Sequence, residues 1–281
     1  MGTSTSSGGG KAGSPFDPEW LDQAGDGIGV GSGDGAAGAP ADGEGDDAQG
    51  QDGDPGDAAV EQALAPDRRF MPARTKLGKY LSGGDRDALR GAASSMINKG
   101  MGGSGRASNT MRGVAQGAGR LGSFLEALRA GTDPQAIAWL QRVGGQNLSA
   151  PDLVLELIKE VMPDTGSVDD ESLRNAAADA LAQLYEQDPN VDISQLTDQQ
   201  IAAVMGFTIA NEVCNRLDLQ LGQSYEKLKY TPVQVQQCRN DMKEWVHGEV
   251  QRIMDGVAVQ RLDPQALAHS VLQTALEVFA E

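Results

Sequence analysis

Four times from Thr132 onward a helix start is written in the same way. A Ser, Thr or Asp stands just ahead of a proline, and an amphipathic run follows. The segments are TDPQAIAWLQRV from Thr132, SAPDLVLELIKEVMP from Ser149, YTPVQVQQCRNDMKEWVHGEVQRIM from Tyr230 and LDPQALAHSVLQTALEVFA from Leu262. The capping oxygen accepts from an N–H of the first turn, and the proline lacks an N–H which that turn would leave unused. Thr197 with Gln200 adds a capping box for a helix through Ile201, Val204, Met205, Ile209 and Val213. Leu173, Ala177, Leu181 and Leu184 form one apolar stripe, and Met242, Val246, Val250 and Ile253 another. No run of alternating β-branched residues reads as a strand. The expectation is an all-α bundle of about six to eight helices. DPQAIAW and DPQALAH agree only over the cap and first turn, so shared helix-start chemistry accounts for them better than a solenoid repeat.

Charge divides the chain into three zones. Residues 1–65 carry one lysine against thirteen carboxylates, a net of −12. Residues 66–130 carry twelve Lys or Arg against four acids, a net of +8, and residues 131–281 carry ten against twenty-three, a net of −13. The overall charge of −17 argues against general binding to nucleic acid or an anionic membrane, while the basic middle leaves a local contact open.

The first zone reads as a long disordered Gly/Asp-rich leader. Between Gly25 and Gly56 only Ile28 and Val30 are larger aliphatics. They cannot offset an ordering cost of about 1–2 kcal/mol per residue. One island interrupts it at residues 15–22, where Phe16 and Trp20 lie in SPFDPEWLD. Aromatics in such a tail fit either a docking motif for a partner or packing on the protein's own body. The second zone mixes Arg and Lys with Gly, Ala and Ser. Short helices fit residues 85–98, with Asp85 as cap, and about 106–130, where small residues permit close packing. Its target could be a nucleic acid, a partner or the chain's own acidic zone. Without a nucleic-acid-binding fold in view, a protein surface is favoured. The third zone is the acidic helical bundle.

The chemical motifs are weak. GDGAAG from Gly33 and GMGGSG from Gly100 match a dinucleotide fingerprint literally, but neither follows a strand and opens a helix. The acidic linker lacks the closing Glu of an EF-hand loop. His247 and His269 have no third ligand nearby in sequence, and Cys214 and Cys238 read as buried thiols of a reducing compartment. No catalytic set stands out, so the chain is expected to be non-enzymatic, with no cofactor and no metal. No apolar run approaches a membrane span and the leader lacks an apolar signal core, so a cytoplasmic location is expected. MGTSTS satisfies the N-myristoylation pattern through Ser6, but the acidic residues that follow disfavour anchoring by a single chain. Gly2 is small enough for removal of Met1, which would leave a slim free amine on a flexible tether.

Three stretches resemble the QatB family of the Qat anti-phage defence system: MGTSTSSGGG, SPFDPEWLD and RFMPARTKLGKYLSGGDRDALRGAASSMINKGMGGSGRASNTMRG from Arg69 to Gly113. The resemblance implies a bacterial defence protein encoded with an ATPase, a QueC-like enzyme (QatC) and a TatD-like nuclease. It further implies pairing with the QueC-like enzyme and the Gly2 amine as acceptor of a 7-deazaguanine-type group, a covalent 7-amido-7-deazaguanine conjugate. On this reading Thr3, Ser4, Phe16, Trp20, Arg69, Arg74 and Lys76 contact the partner. Two rivals remain. One is a nucleic-acid adaptor in which Arg68, Arg69, Arg74, Lys76, Arg106 and Arg112 meet phosphates, and the other is a purely structural adaptor of the complex.

Overall fold

The structure, a computed structural model, describes residues 68–162, 165–222, 224–225, 230–257 and 263–281. Gly2, Thr3, Ser4, Phe16 and Trp20 lie outside the described residues. Residues 67–281 form one compact unit. Among the described residues the regular structure is helical throughout. The helices are α1 Met71–Gly83, α2 Arg86–Ser95, α3 Ser104–Thr110, α4 Arg112–Ala130, α5 Pro134–Gly144, α6 Ala150–Val161, α7 Val168–Gln187, α8 Asp198–Leu221, α9 Pro232–Gly256 and α10 Pro264–Ala280. A π-helical turn, Met96–Gly100, follows α2, and a 3₁₀ turn, Ile193–Gln195, precedes α8.

The all-α architecture is as the sequence predicts, with ten helical segments described where six to eight are expected. The excess arises in the basic zone. Its first helix, α1, carries a proline in its first turn and ends at Gly84, which has a φ of 70° and donates its N–H to the Tyr80 carbonyl. The expected helix over 106–130 is broken at Met111 into α3 and α4. Elsewhere the caps fall where the sequence places them. Asp133, Ser149, Thr231 and Asp263 each accept from a first-turn N–H, and both Thr197–Gln200 and Thr231–Gln234 form complete capping boxes.

One hydrophobic core runs through helices of the basic and acidic zones together. The long α8 sits at its centre and packs against α4, α7 and α9. Ile201, Val204, Met205, Ile209 and Val213 are all buried, as are Leu173, Ala177, Leu181 and Leu184 of α7. Of the α9 stripe, Met242, Val246 and Val250 are buried while Ile253 lies at the core's edge, and Met254 takes the inward position. The basic-zone helix α4 crosses α8 and α10. Its Gly119 meets α10 so closely that a Cβ there would stand 2.9 Å from the Cα of Gln265. Small residues in α4 thus bring its backbone against α10, which a larger side chain would forbid.

Polar groups stitch three of these helices together. Asn211 on α8 donates through Nδ2 to the Ala176 carbonyl on α7 at 3.1 Å, leaving its Oδ1 to accept from Nε2 of His247 on α9 at 2.9 Å. His247 must therefore carry its proton on Nε2. Burial, with Lys243 one turn away, lowers its pKa to about 4, and its ring stacks on Phe207 at 5.8 Å. One residue along α8, Glu212 is fully buried. It accepts from Ser172 Oγ at 2.6 Å and from Arg216 Nε at 3.0 Å. Burial raises its pKa, while these donors partly offset the rise.

Candidate partner-docking site

The basic zone becomes a surface at α1. Five cations fall within twelve positions, from Arg68 to Lys79; Arg68 and Arg69 lie in the turn ahead of α1, and helical geometry distributes Arg74, Lys76 and Lys79 around its axis. Phe70, just ahead of α1, packs against Gly100 at the end of the π turn, where a Cβ would lie 2.4 Å from the ring. The Arg69 guanidinium stands 4.9 Å from the centroid of the same ring and that of Arg74 6.0 Å, so two of the sequence-predicted partner residues are gathered around Phe70. Arg74 also donates through Nε and Nη2 to the Gln220 carbonyl, at 3.2 and 3.1 Å. That carbonyl belongs to the last turn of α8, where the helix dipole favours a cation, so the contact fastens α1 to the central helix.

Lys76 is directed elsewhere. Two residues beyond Arg74 it is turned by roughly 200° around the helix. Its stem runs toward α2, where a Cβ on Gly91 would meet Lys76 Cδ at 3.2 Å. The structure therefore brings Arg69 and Arg74 together and separates Lys76 from them. Arg106 and Arg112, the remaining cations of the nucleic-acid reading, are exposed on α3 and at the start of α4.

A groove of about 1010 Å³ opens along one face of α1. Arg68, Met71, Arg74, Thr75, Gly78, Lys79 and Ser82 line it over successive turns, with Ser224 and Tyr230 opposite. The far wall is fixed: the Tyr230 hydroxyl donates to the Gly78 carbonyl at 3.0 Å and lies 3.3 Å from Ser82 Oγ. Among the described residues the lining carries three cations and no carboxylate, in a chain whose net charge is −17. Met71 is 49 % exposed although it belongs to a helix packed on the core. Ser224 is only 3 % exposed, and its Oγ has no hydrogen-bond partner among the described residues.

Met71, Ser224 and Tyr230 are absent from the sequence-derived site. The spacing of Met71, Thr75, Gly78 and Ser82 by three or four residues marks one helical face, so the near wall was readable. Ser224 and Tyr230 come from the α8–α9 connection and carry no local signal. Chemically the groove offers fixed positive charge, hydroxyls and an apolar patch, which suits anion and peptide binding. The two thiols and the His247 imidazole do not line it. Burial pushes the thiols of Cys214 and Cys238 up to about 12, and His247 is held neutral inside the bundle. Among the described residues no group of three or more His, Cys, Asp or Glu is placed to hold a metal ion. Among the same residues no helix is long and apolar enough to cross a membrane.

A family model described as "Qat anti-phage system associated protein QatB" matches residues 102–279, more than half of the chain. No curated protein and no solved structure matches it. The matched stretch runs from the glycines before α3 to the last turn of α10, with α1 upstream of it.

Proposed function

The chain belongs to the QatB family and is a component of an anti-phage defence system. From that premise we propose that it is a non-enzymatic, cytoplasmic partner and substrate of the QueC-like enzyme of its system, with the α1 surface docking that enzyme and Gly2 presented as the acceptor. QueC relatives activate the carboxyl of a deazaguanine with ATP. Attack on that carboxyl by the neutral Gly2 amine forms the C–N bond of the amide, expels the activating phosphate group and releases the amine's proton. The product is a 7-amido-7-deazaguanine conjugate at the N-terminus. The observation that carries the reading is the cation-lined groove on the helix that follows the leader in sequence, in a family whose members belong to a multi-protein system. The placement of the thiols and of His247, each held in its unreactive form by burial, supports a role as partner and substrate.

Thr3, Ser4, Phe16 and Trp20 serve in this reading to guide the leader into the enzyme, while Arg69 and Arg74 face it from the folded body. Lys76, aligned along α2, contributes less. The ATPase and TatD-like nuclease of the system are further partners of the assembled complex. Deletion of residues 2–14 separates the roles. The truncated protein is expected to be retained on the immobilised QueC-like enzyme, to carry no N-terminal conjugate and to fail in defence. Full defence by the truncated protein contradicts the acceptor role.

A further inference from the structure

The groove along α1 combines three features that no internal packing role explains. Among the described residues its charged lining is cationic, through Arg68, Arg74 and Lys79. Met71 holds an exposed apolar surface within it. The Ser224 hydroxyl, almost completely buried, lines the groove without a hydrogen-bond partner among the described residues. A buried polar atom left unpaired is costly and calls for a group that satisfies it.

We infer that this groove binds an acidic peptide segment of a partner protein, one that carries an apolar side chain between carboxylates. Its carboxylates pair with Arg68 and Lys79, which are exposed and free to swing toward a ligand. Its apolar side chain covers Met71. A carbonyl or carboxylate oxygen accepts from Ser224 Oγ. Arg74 is already committed to the Gln220 carbonyl and contributes field and a fixed wall. A volume of about 1010 Å³ stands at the upper end of the roughly 300–1,000 Å³ typical of small-molecule sites and suits a short length of chain. Nucleic acid fits less well. Of the six cations of that reading only Arg68 and Arg74 line the groove, the apolar patch is an aliphatic thioether in place of a stacking ring face, and the one aromatic lining residue has its hydroxyl tied to Gly78 and Ser82.

The assignment rests on the reading of α1 as the docking face but is independent of Gly2 chemistry, so it is tested without the enzyme. The full-length protein is titrated against a fluorescein-labelled, end-capped octapeptide of alternating glutamate and leucine, followed by anisotropy at low salt. Controls are the lysine–leucine and glutamate–serine peptides and a single-stranded oligothymidylate. The expected result is saturable binding of the glutamate–leucine peptide alone, weakened about tenfold or more by Arg68→Glu with Lys79→Glu. Ser224→Ala is expected to weaken it about threefold at unchanged melting temperature. Unchanged binding by the double variant, with its helical circular dichroism intact, overturns the proposal. So does equal affinity for the lysine–leucine peptide. Displacement of the peptide by oligothymidylate at lower concentration gives the groove to nucleic acid. Loss of peptide binding as the protein dimerises in sedimentation gives it to a second copy, and either result likewise overturns the proposal. Intact binding here together with an unmodified Gly2 in cells removes the acceptor reading alone.

Discussion

At the scale of single residues, small side chains and neutral buried groups decide what the fold tolerates. A Cβ on Gly119 would meet the Gln265 side-chain amide at 2.6 Å and its Cα at 2.9 Å; the amide can swing away but the backbone cannot, so Gly119→Ala is expected to cost about 1–3 kcal/mol. Gly113, on the same helix, has open space around its Cβ position, and Gly113→Ala is expected to stabilise by about 0.4–1 kcal/mol. Thermal melts of the two variants against the parent give the comparison, with each kcal/mol worth roughly 2–4 °C in a domain of this size. The cysteines provide a second test. With both thiols pushed up to about 12, alkylation at pH 8 is expected to be at least about a hundredfold slower in the native protein than in denaturant. Rapid native labelling of Cys238, which is fully buried where Cys214 is partly buried, contradicts that burial when read by peptide mass spectrometry. Position-specific facts of this kind were unevenly legible. The small residues of α4 announced close packing, whereas the identity of the facing residue, Gln265, depends on a helix nearly 150 positions away and leaves no trace near Gly119.

At the scale of elements, the α7–α8–α9 stitch through Ala176, Asn211 and His247 ties stability to pH. His247 has its folded pKa lowered from 6.5 to about 4, so between those values the unfolded chain binds the proton and the folded chain does not. Stability contributed by the neutral imidazole is therefore fully present above pH 6.5 and is lost as pH falls toward 4. His247→Gln keeps an Nε2–H donor for Asn211 but cannot titrate. The slope of unfolding free energy against pH from 4 to 6.5 is expected to be shallower in this variant than in the parent, by urea titration at each pH; equal slopes contradict the assignment. Element starts were the best-read part of the molecule. Each cap lies within three residues of the N–H it serves, so Asp133, Ser149, Thr197, Thr231 and Asp263 could be identified from neighbours alone. The count of helices was less legible because breaks such as Met111 carry no glycine or proline. The histidine stitch was invisible, since its three members lie on three helices.

At the scale of the whole molecule, charge is segregated more sharply in sequence than in space. The helices of the basic zone share a core with those of the acidic zone, and three of its cations, Arg68, Arg74 and Lys79, line one groove beside α1. Of the sequence-derived site the structure gathers Arg69 and Arg74 around Phe70 and sends Lys76 to α2. Arg74 and Lys76, two positions apart on one helix, cannot both face one partner, which a linear list of cations does not express. The family resemblance read from the sequence centred on residues 69–113, while the family match covers 102–279, where capping and stripes had yielded architecture without identity. The proposed acceptor chemistry adds its own pH dependence. Only the neutral amine attacks, and with an α-amino pKa of about 7.7–8.0 the rate of conjugation is expected to rise roughly tenfold per unit below pH 7 and to level above pH 8. A rate flat from pH 6 to 8 in a purified system, with the enzyme's activation step shown not to limit it, contradicts attack by the free amine.

The most direct test of the central claim is the intact mass of the protein co-expressed with its QueC-like enzyme in cells with active defence, followed by sequencing of the N-terminal peptide. The account predicts loss of Met1 and a single added 7-deazaguanine acyl group on the Gly2 amine, absent when the enzyme is omitted. An N-terminal peptide beginning at an unmodified Gly2, in cells where defence is active, contradicts it.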